Sequence, residues 1–124
     1  MKDYKKHELL VEKLCRNAGY EVDTQVRYWS DYKGRDSFMD VVLDNNLAIE
    51  CKFQKGTGTA DEKLPYVMQE CFKNWSRGII VVDGAWWDKD QGLCIVTYCK
   101  TIAHKWNSEV LYLEEFKEKL EHGF

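Results

Sequence analysis

The feature that most constrains the fold is a short run of β-branched residues near the middle of the chain. It reads Gly-Ile-Ile-Val-Val over residues 78–82, and Asp83-Gly84 ends it. A strand without polar alternation predicts a central strand buried on both faces, which helices must cover. We therefore expect an α/β protein in which helices flank a central sheet.

The other elements follow from hydrophobic periodicity and from turn residues. A helical period predicts a helix over residues 3–18, and strict alternation predicts a strand over residues 20–28. A polar loop with Lys33-Gly34-Arg35 follows this strand. The remaining predicted elements are strands at 37–43 and 47–53, a helix from about Pro65, the buried strand at 78–82, a loop at 85–92, a helix with an apolar face from Ile95 to Trp106, a strand at 110–113 and a helix at 114–121.

The resulting order, α-β-β-β-α-β-α-β-α, predicts a single α/β domain spanning residues 1–124. Its sheet should be mixed, with an antiparallel meander first and then strands reached by helical crossovers. The chain has 124 residues, of which 44% are hydrophobic, and this is enough for one core.

Composition also limits the class of protein. There is no apolar run of about 18 residues and no secretory signal, so we expect no membrane partner and a cytoplasmic protein. Five cysteines without a C-x-x-C pair predict reduced core thiols rather than a zinc site. The net charge of −3 argues against a protein coated in positive charge, but a local basic patch could still bind nucleic acid.

One hairpin-like stretch carries charges inside apolar strands. Residues 39–54 read MDVVLDNNLAIECKFQ, with Asp40 in the first apolar run and with Glu50 and Lys52 closing the second. Charges rarely lie inside buried strands, because an unpaired buried ion is very costly. Either these charges lie on a solvated strand face, or they act together as a functional site.

The length of the turn decides which charged side chains meet. A three-residue loop at 44–46 would place Asp40 opposite Glu50, with Cβ atoms about 4.5–5.5 Å apart. A two-residue turn at 45–46 would shift the register by one and oppose Asp40 to Cys51 instead. Two opposed carboxylates repel each other unless a cation compensates for their charge.

The first register predicts a divalent metal site. Mg²⁺ or Mn²⁺ takes several oxygen ligands, and the backbone carbonyl of Cys51 could add one to the carboxylates of Asp40 and Glu50. Such an ion polarises a phosphoryl oxygen and lowers the pKa of a bound water. Lys52 lies two residues from Glu50 and so on the same side of the strand, where it could stabilise developing negative charge.

Asp40 followed by Glu50-Cys51-Lys52 resembles the motif of the PD-(D/E)XK nuclease superfamily, whose members have the restriction-endonuclease-like fold. The core order of that fold, α-β-β-β-α-β, is the order predicted for residues 3–82. The match departs at Met39, which stands where the family motif has proline.

The resemblance implies roles for individual residues. Asp40 and Glu50 would be metal ligands, and Lys52 would be the catalytic lysine. Gln54, on the same strand face, would complete the catalytic group. Glu8 in the first helix would reach the metal, and Glu12, one turn further on, competes with it for that role.

The resemblance also implies an activity and its partners. We expect an Mg²⁺-dependent DNA endonuclease of restriction, homing or junction-resolving type, of the kind that phages and mobile elements encode; the alternative is a non-catalytic DNA-binding module. A double-strand cut would need a homodimer or higher assembly, for which exposed apolar positions at Trp106, Leu111 and Phe116 are candidates. The candidate DNA-binding residues are Lys33, Arg35, Lys55, Thr57, Thr59 and Lys63, which surround the hairpin and the Gly/Thr loop.

Overall fold

A computed structural model describes residues 1–56 and 63–124. Within this part of the chain, α-helices flank a five-stranded sheet. The elements are α1 (Asp3–Asn17), β1 (Val22–Ser30), β2 (Arg35–Leu43), β3 (Leu47–Phe53), α2 (Leu64–Trp75), β4 (Gly78–Asp83), α3 (Asp90–Ile102), β5 (Ser108–Tyr112) and α4 (Leu113–His122), with 3₁₀ turns at Ala85–Asp88 and Ala103–Trp106. The predicted α/β class and element order are confirmed.

The sheet is mixed, as the sequence predicts. Its strand order is β1-β2-β3-β4-β5. The first three strands form an antiparallel meander, and β4 and β5 then add in parallel. A parallel neighbour requires a crossover, and the helices α2 and α3 provide the two crossovers.

The central strand β4 separates two apolar cores. All five residues from Gly78 to Val82 are buried. Ile79 and Val81 pack in the core beneath α1 and α4, whereas Ile80 and Val82 pack in the core beneath α2 and α3. The β-branched run therefore has a helical layer on each face. One side of the sheet is covered by α1 and α4, and the other by α2 and α3.

The turn between β2 and β3 has three residues. Asp44 and Asn45 adopt left-handed φ values of 50° and 57°, which Asp and Asn tolerate better than other non-glycine residues. The N–H of Asn46 donates to the carbonyl of Leu43 at 2.9 Å. Three residue pairs follow this turn, namely Leu43–Leu47, Val42–Ala48 and Val41–Ile49. The three-residue alternative is confirmed, and the two-residue alternative is wrong.

Several predicted boundaries are wrong by a few residues. The strand β1 runs on to Ser30, where it pairs with Arg35, so Arg35 begins β2 instead of lying in the loop. The predicted loop at 85–92 contains a 3₁₀ turn, and α3 already begins at Asp90. Trp106 belongs to a separate 3₁₀ turn, because the α-helix ends at Ile102.

Two residues expected to be exposed are in the core. Leu111 is 6% exposed because β5 lies against β4, and Phe116 is fully buried because α4 covers that face of the sheet. Neither side chain offers a contact to a second copy, and Trp106 is half-buried. The five cysteines are free thiols. In the described part of the chain, every helix is too short or too polar to cross a bilayer.

Candidate active site

The strands β2 and β3 pair only near their turn and then separate. Their ladder ends at the pair Val41–Ile49. Beyond it, β2 continues to pair with β1 from Met39 outwards, while β3 continues to pair with β4 as far as Phe53. A gap therefore opens in the sheet where the sequence places its charges.

Asp40 uses the edge of β3 that this separation exposes. Its Oδ2 accepts a hydrogen bond from the backbone N–H of Cys51 at 2.8 Å. The backbone ladder ends one pair before the predicted pair Asp40–Glu50, but the two carboxyl groups still lie within hydrogen-bonding reach of each other. The carboxylate replaces a ladder carbonyl, so the N–H of Cys51 keeps an acceptor.

A glutamine that sequence analysis missed joins Asp40 to the first helix. The Nε2 of Gln25 donates to Asp40 Oδ1 at 3.4 Å and to Glu8 Oε1 at 3.3 Å. Gln25 lies on β1 between the pairs Thr24–Val41 and Val26–Met39, and it has a left-handed φ of 50°. The alternation of β1 predicts only a polar, outward position, and nothing in the sequence signals the unusual φ.

The same contacts distinguish the two helix candidates. Glu8 shares the Gln25 amide with Asp40, whereas Glu12 accepts a hydrogen bond from Arg16 at 3.1 Å, one helical turn further on. Both line a small pocket of about 90 Å³ with Asp40 on the α1 side of the sheet. The geometry favours Glu8 as the carboxylate coupled to the hairpin.

Asp40 lies close to two carboxyl groups that resist ionisation. Burial raises the pKa of Glu50 well above its ordinary value, and the hydrogen bond and negative charge of Asp40 raise it further, while the charge of Lys52 opposes them. Burial also raises the pKa of Glu8, again with a contribution from the charge of Asp40. The three carboxyl groups form one electrostatic cluster that a cation would stabilise.

The donor set fits a hard divalent cation. Glu50 is half-buried as a residue, but its Oε1 is shielded from solvent and has no hydrogen-bond partner among the described residues. A buried carboxylate oxygen without a donor is costly, and a metal ion would supply the missing partner. Among the described residues, no group of three or more His, Cys, Asp and Glu side chains is arranged to hold an ion as they stand. The fit therefore rests on the chemistry of the oxygens and on the unpartnered atom.

Glu50 and Lys52 line one cavity on the α2 side of the sheet. Its volume is about 200 Å³. The alternation of β3 explains why the two side chains share this face. Lys33, from the β1–β2 loop, and Lys63, which precedes α2, line the same cavity and add positive charge around the carboxylate. The other residues lining it are Tyr28, Ser30, Tyr32, Tyr66, Val67 and Glu70.

Glu70 is a second residue that sequence analysis missed. It is 8% exposed, and its Oε1 accepts hydrogen bonds from the hydroxyl of Ser30 at 2.5 Å and from the N–H of Tyr32 at 3.4 Å. The Ser30 hydroxyl oxygen in turn accepts the N–H of Lys33 at 3.1 Å. This chain of bonds ties the β1–β2 loop to α2. In the sequence, Glu70 looks like an ordinary solvent-facing helix residue.

The remaining predicted residues lie apart from the cavity. Gln54 follows the end of β3, and its side chain donates to the carbonyl of Gly56 at 2.9 Å. Lys55 pairs with Asp3 at 2.8 Å, and Arg35 is exposed at the start of β2. Thr57 and Thr59 lie outside the described residues.

A family comparison agrees with this geometry. The model of the PD-(D/E)XK nuclease superfamily domain matches residues 2–123. The chain belongs to the PD-(D/E)XK nuclease superfamily. The resemblance carried by Asp40 and by Glu50-Cys51-Lys52 is thereby confirmed for almost the whole chain, and the domain is of a nuclease class.

A solved structure supports the fold of this nuclease-superfamily domain. A crystal structure described as that of a protein of unknown function, AF1548, superposes with a TM-score of 0.58 at 18% identity. The match covers 94% of this chain, which spans 64% of the AF1548 chain. At this identity the likeness shows the fold alone. Among curated proteins, none matches the chain.

Proposed function

We propose that this domain is a metal-dependent DNA endonuclease that hydrolyses phosphodiester bonds. The observation that carries the proposal is the gap between β2 and β3, where Glu50 lies beside both Asp40 and Lys52, and where Glu50 Oε1 is buried without a hydrogen-bond partner among the described residues. Membership of a nuclease superfamily supports the same chemistry. The proposal takes residues 1–124 as one nuclease domain.

The metal ligands in this proposal are oxygens around the gap. Asp40, Glu50 and the backbone carbonyl of Cys51 would hold Mg²⁺, with Mn²⁺ as a substitute, and Glu8 would contribute through its link to Asp40. The bound ion would polarise a phosphoryl oxygen and lower the pKa of a water molecule. It would also satisfy the buried Oε1 of Glu50.

The lysines of the cavity would stabilise the negative charge of the substrate. Lys52 lines the cavity beside Glu50, where its ammonium group can stabilise the negative charge that develops on the phosphate. Lys33 and Lys63 extend this positive lining toward the DNA backbone. The net charge of the whole chain is −3, so the attraction for DNA comes from this local cluster.

Further residues extend the proposed DNA contact and the proposed catalytic group. Lys55 would contact phosphate only after leaving Asp3, and the contacts of Arg35, Thr57 and Thr59 stay predictions, as does the catalytic role of Gln54. One active site cuts one strand, so a double-strand cut or junction resolution requires two copies. We propose a homodimer or higher assembly for such substrates; light scattering of the free and DNA-bound protein measures it.

A direct test is to incubate the protein with supercoiled plasmid, single-stranded DNA and branched DNA in Mg²⁺, Mn²⁺ or EDTA. We expect cleavage of at least one substrate in a metal and none in EDTA. The control for variants of the cavity lysines, such as Lys52→Ala, is Lys105→Ala. Lys105 is an exposed lysine of the Ala103–Trp106 turn, outside the cavity. Binding without cleavage in either metal would instead identify a non-catalytic DNA-binding module.

A further inference from the structure

An aromatic groove adjoins the catalytic cavity on the α2 side of the sheet. Its volume is about 420 Å³, within the range of pockets that hold small ligands. Tyr32, Tyr66 and Glu70 line both the groove and the cavity of Glu50 and Lys52. A molecule with one part at the catalytic carboxylate can therefore place its neighbouring part in the groove.

The side chains of the groove expose aromatic surface. The rings of Tyr32 and Tyr66 stack with their centroids 4.1 Å apart and their planes inclined by 12°. Phe72 meets Trp106 edge to face, with centroids 6.3 Å apart. Tyr32, Tyr66 and Phe72 remain 47%, 43% and 45% exposed. The helix α2 thus carries a ring, that of Phe72, which the core does not use. A cluster of exposed apolar groups marks a binding surface.

The charges around the groove indicate what it binds. Within the groove, Lys73 is paired with Asp31, and the other charged side chain of the lining, Glu70, accepts a hydrogen bond from Ser30, so the formal charge of the lining is only −1. The adjoining cavity instead carries Lys33, Lys52 and Lys63. A nucleotide has the matching division, with an uncharged aromatic base beside a charged phosphate. Bases stack on aromatic side chains largely irrespective of sequence.

We propose that the groove is a stacking subsite for the unpaired base of a nucleotide adjacent to the scissile phosphate. The inference rests on the proposed nuclease function and specifies its substrate class. A base within a continuous duplex is covered on both faces by its neighbours, so it must be unpaired or splayed to enter. The substrate is then DNA with an unpaired nucleotide at the cleavage position, such as a flap, a branch or a single strand.

The experiment compares a flap substrate with a matched continuous duplex, with binding measured in EDTA so that no cleavage occurs. The flap carries 2-aminopurine as its unpaired base, because the fluorescence of this base falls when it stacks. We expect tighter binding of the flap and quenching of the probe. Phe72→Ala and Trp106→Ala should each weaken flap binding about tenfold and relieve the quenching, while duplex binding stays within twofold.

The controls separate stacking from folding. Phe72 and Trp106 lie outside the lining of the catalytic cavity. Phe72→Tyr keeps a ring and should bind the flap like the wild type. Tyr98→Ala removes an aromatic side chain that is 62% exposed on α3 and should change nothing. Thermal melts of each variant show that it is folded.

Three results would overturn the inference. The first is a Phe72→Ala protein that binds and quenches the flap like the wild type. The second is equal binding of flap and duplex by the wild type. The third is a loss of dimer mass in the Phe72→Ala variant, because the groove would then be a contact between copies. Plasmid cleavage in Mg²⁺ by the wild type, together with any of these, would reject the subsite and leave the proposed nuclease function standing. Absence of all cleavage would reject the nuclease function itself.

Discussion

The β2–β3 hairpin has two halves that are built in opposite ways. Near the turn, three residue pairs join the strands, and all six side chains are apolar and buried. Beyond Val41 and Ile49 the strands separate, and the charged residues Asp40, Glu50 and Lys52 follow at once. We call these two parts the paired half and the open half.

The difference explains why charges interrupt two strongly apolar strands. In the paired half, each strand satisfies its partner, so any charge there would be buried without compensation. In the open half, β2 pairs only with β1, and β3 pairs only with β4. The edges of β2 and β3 that face each other are therefore available to side chains. The carboxylate of Asp40 occupies one such edge at the N–H of Cys51. The paired half therefore holds the strands together, and the open half presents carboxylate oxygens between them.

The largest expected effect comes from removing the positively charged side chain of the open half, that of Lys52. Lys52→Ala should lower the rate of DNA cleavage by about 10²–10³-fold, because Lys52 would stabilise charge that develops in the transition state. The fold should persist, since the change removes no core side chain. Single-turnover cleavage rates measure the effect, with Lys105→Ala as the control lysine. A Lys52→Ala protein that cut at the wild-type rate would contradict the assignment.

The next effect sharpens the comparison on the α1 side. Glu8→Gln should reduce cleavage about 10–100-fold, which is typical for a group that supports metal ligands, because it breaks the charge balance around Asp40. Glu12→Gln, one turn away and paired with Arg16, should stay within twofold of the wild type. Cleavage rates measured over a range of Mg²⁺ concentrations check both variants. Equal losses of cleavage rate in the two variants would show that Glu8 has no special role at the site.

How far the sequence predicts this molecule can be seen in the same two halves. The paired half was predictable as a hairpin, because its two apolar runs and the polar residues between them are local signals, whereas the length of the turn stayed open between three and two residues. Local signals also single out Asp40, Glu50 and Lys52 in the sequence, since charges in an apolar strand require an explanation. The element order also follows from local periodicity.

The parts that sequence analysis missed depend on contacts between distant segments. Gln25 reaches Asp40 across 15 residues, and Glu70 reaches Ser30 across 40. Each looks like a surface residue until the sheet and α2 bring the partners together. The end of the β2–β3 ladder was equally invisible, because it is set by the outer strands. Leu111 and Phe116 were misjudged because α4 and β5 were predicted as elements without a position against β4.

A smaller effect tests the paired half by itself. Val42 is 1% exposed, and Val42→Ala should lower the free energy of unfolding by about 1.5 kcal/mol, because about two buried methylene groups are lost. Cleavage well below the melting temperature should be unchanged. Urea denaturation and a cleavage assay on the same sample measure the two quantities. A large loss of cleavage with the fold intact would mean that the two halves are not separable.

The smallest effect is on the stability of the metal-free protein, and it depends on pH through the open half. A carboxyl group whose pKa is raised by folding destabilises the folded state once it ionises. For Glu50 this penalty is absent below its ordinary pKa of 4.5 and grows as the pH rises above that value. Glu50→Gln cannot ionise, so in EDTA it should gain stability relative to the wild type as the pH rises from about 5 to about 8.

Urea midpoints of wild type and Glu50→Gln at the two pH values measure this difference. The raised pKa of Glu8 contributes in both proteins and so cancels from the comparison. A stability difference that does not change with pH would show that the carboxyl group of Glu50 is not held against ionisation.

The central claim is that the open half binds a divalent metal ion through its carboxylates. Titration calorimetry with Mn²⁺ measures this directly in the absence of DNA. We predict a saturable heat of binding for the wild type, its loss in Asp40→Asn, and wild-type binding in Glu12→Gln. No saturable heat in the wild type, or equal binding in Asp40→Asn, would contradict the claim.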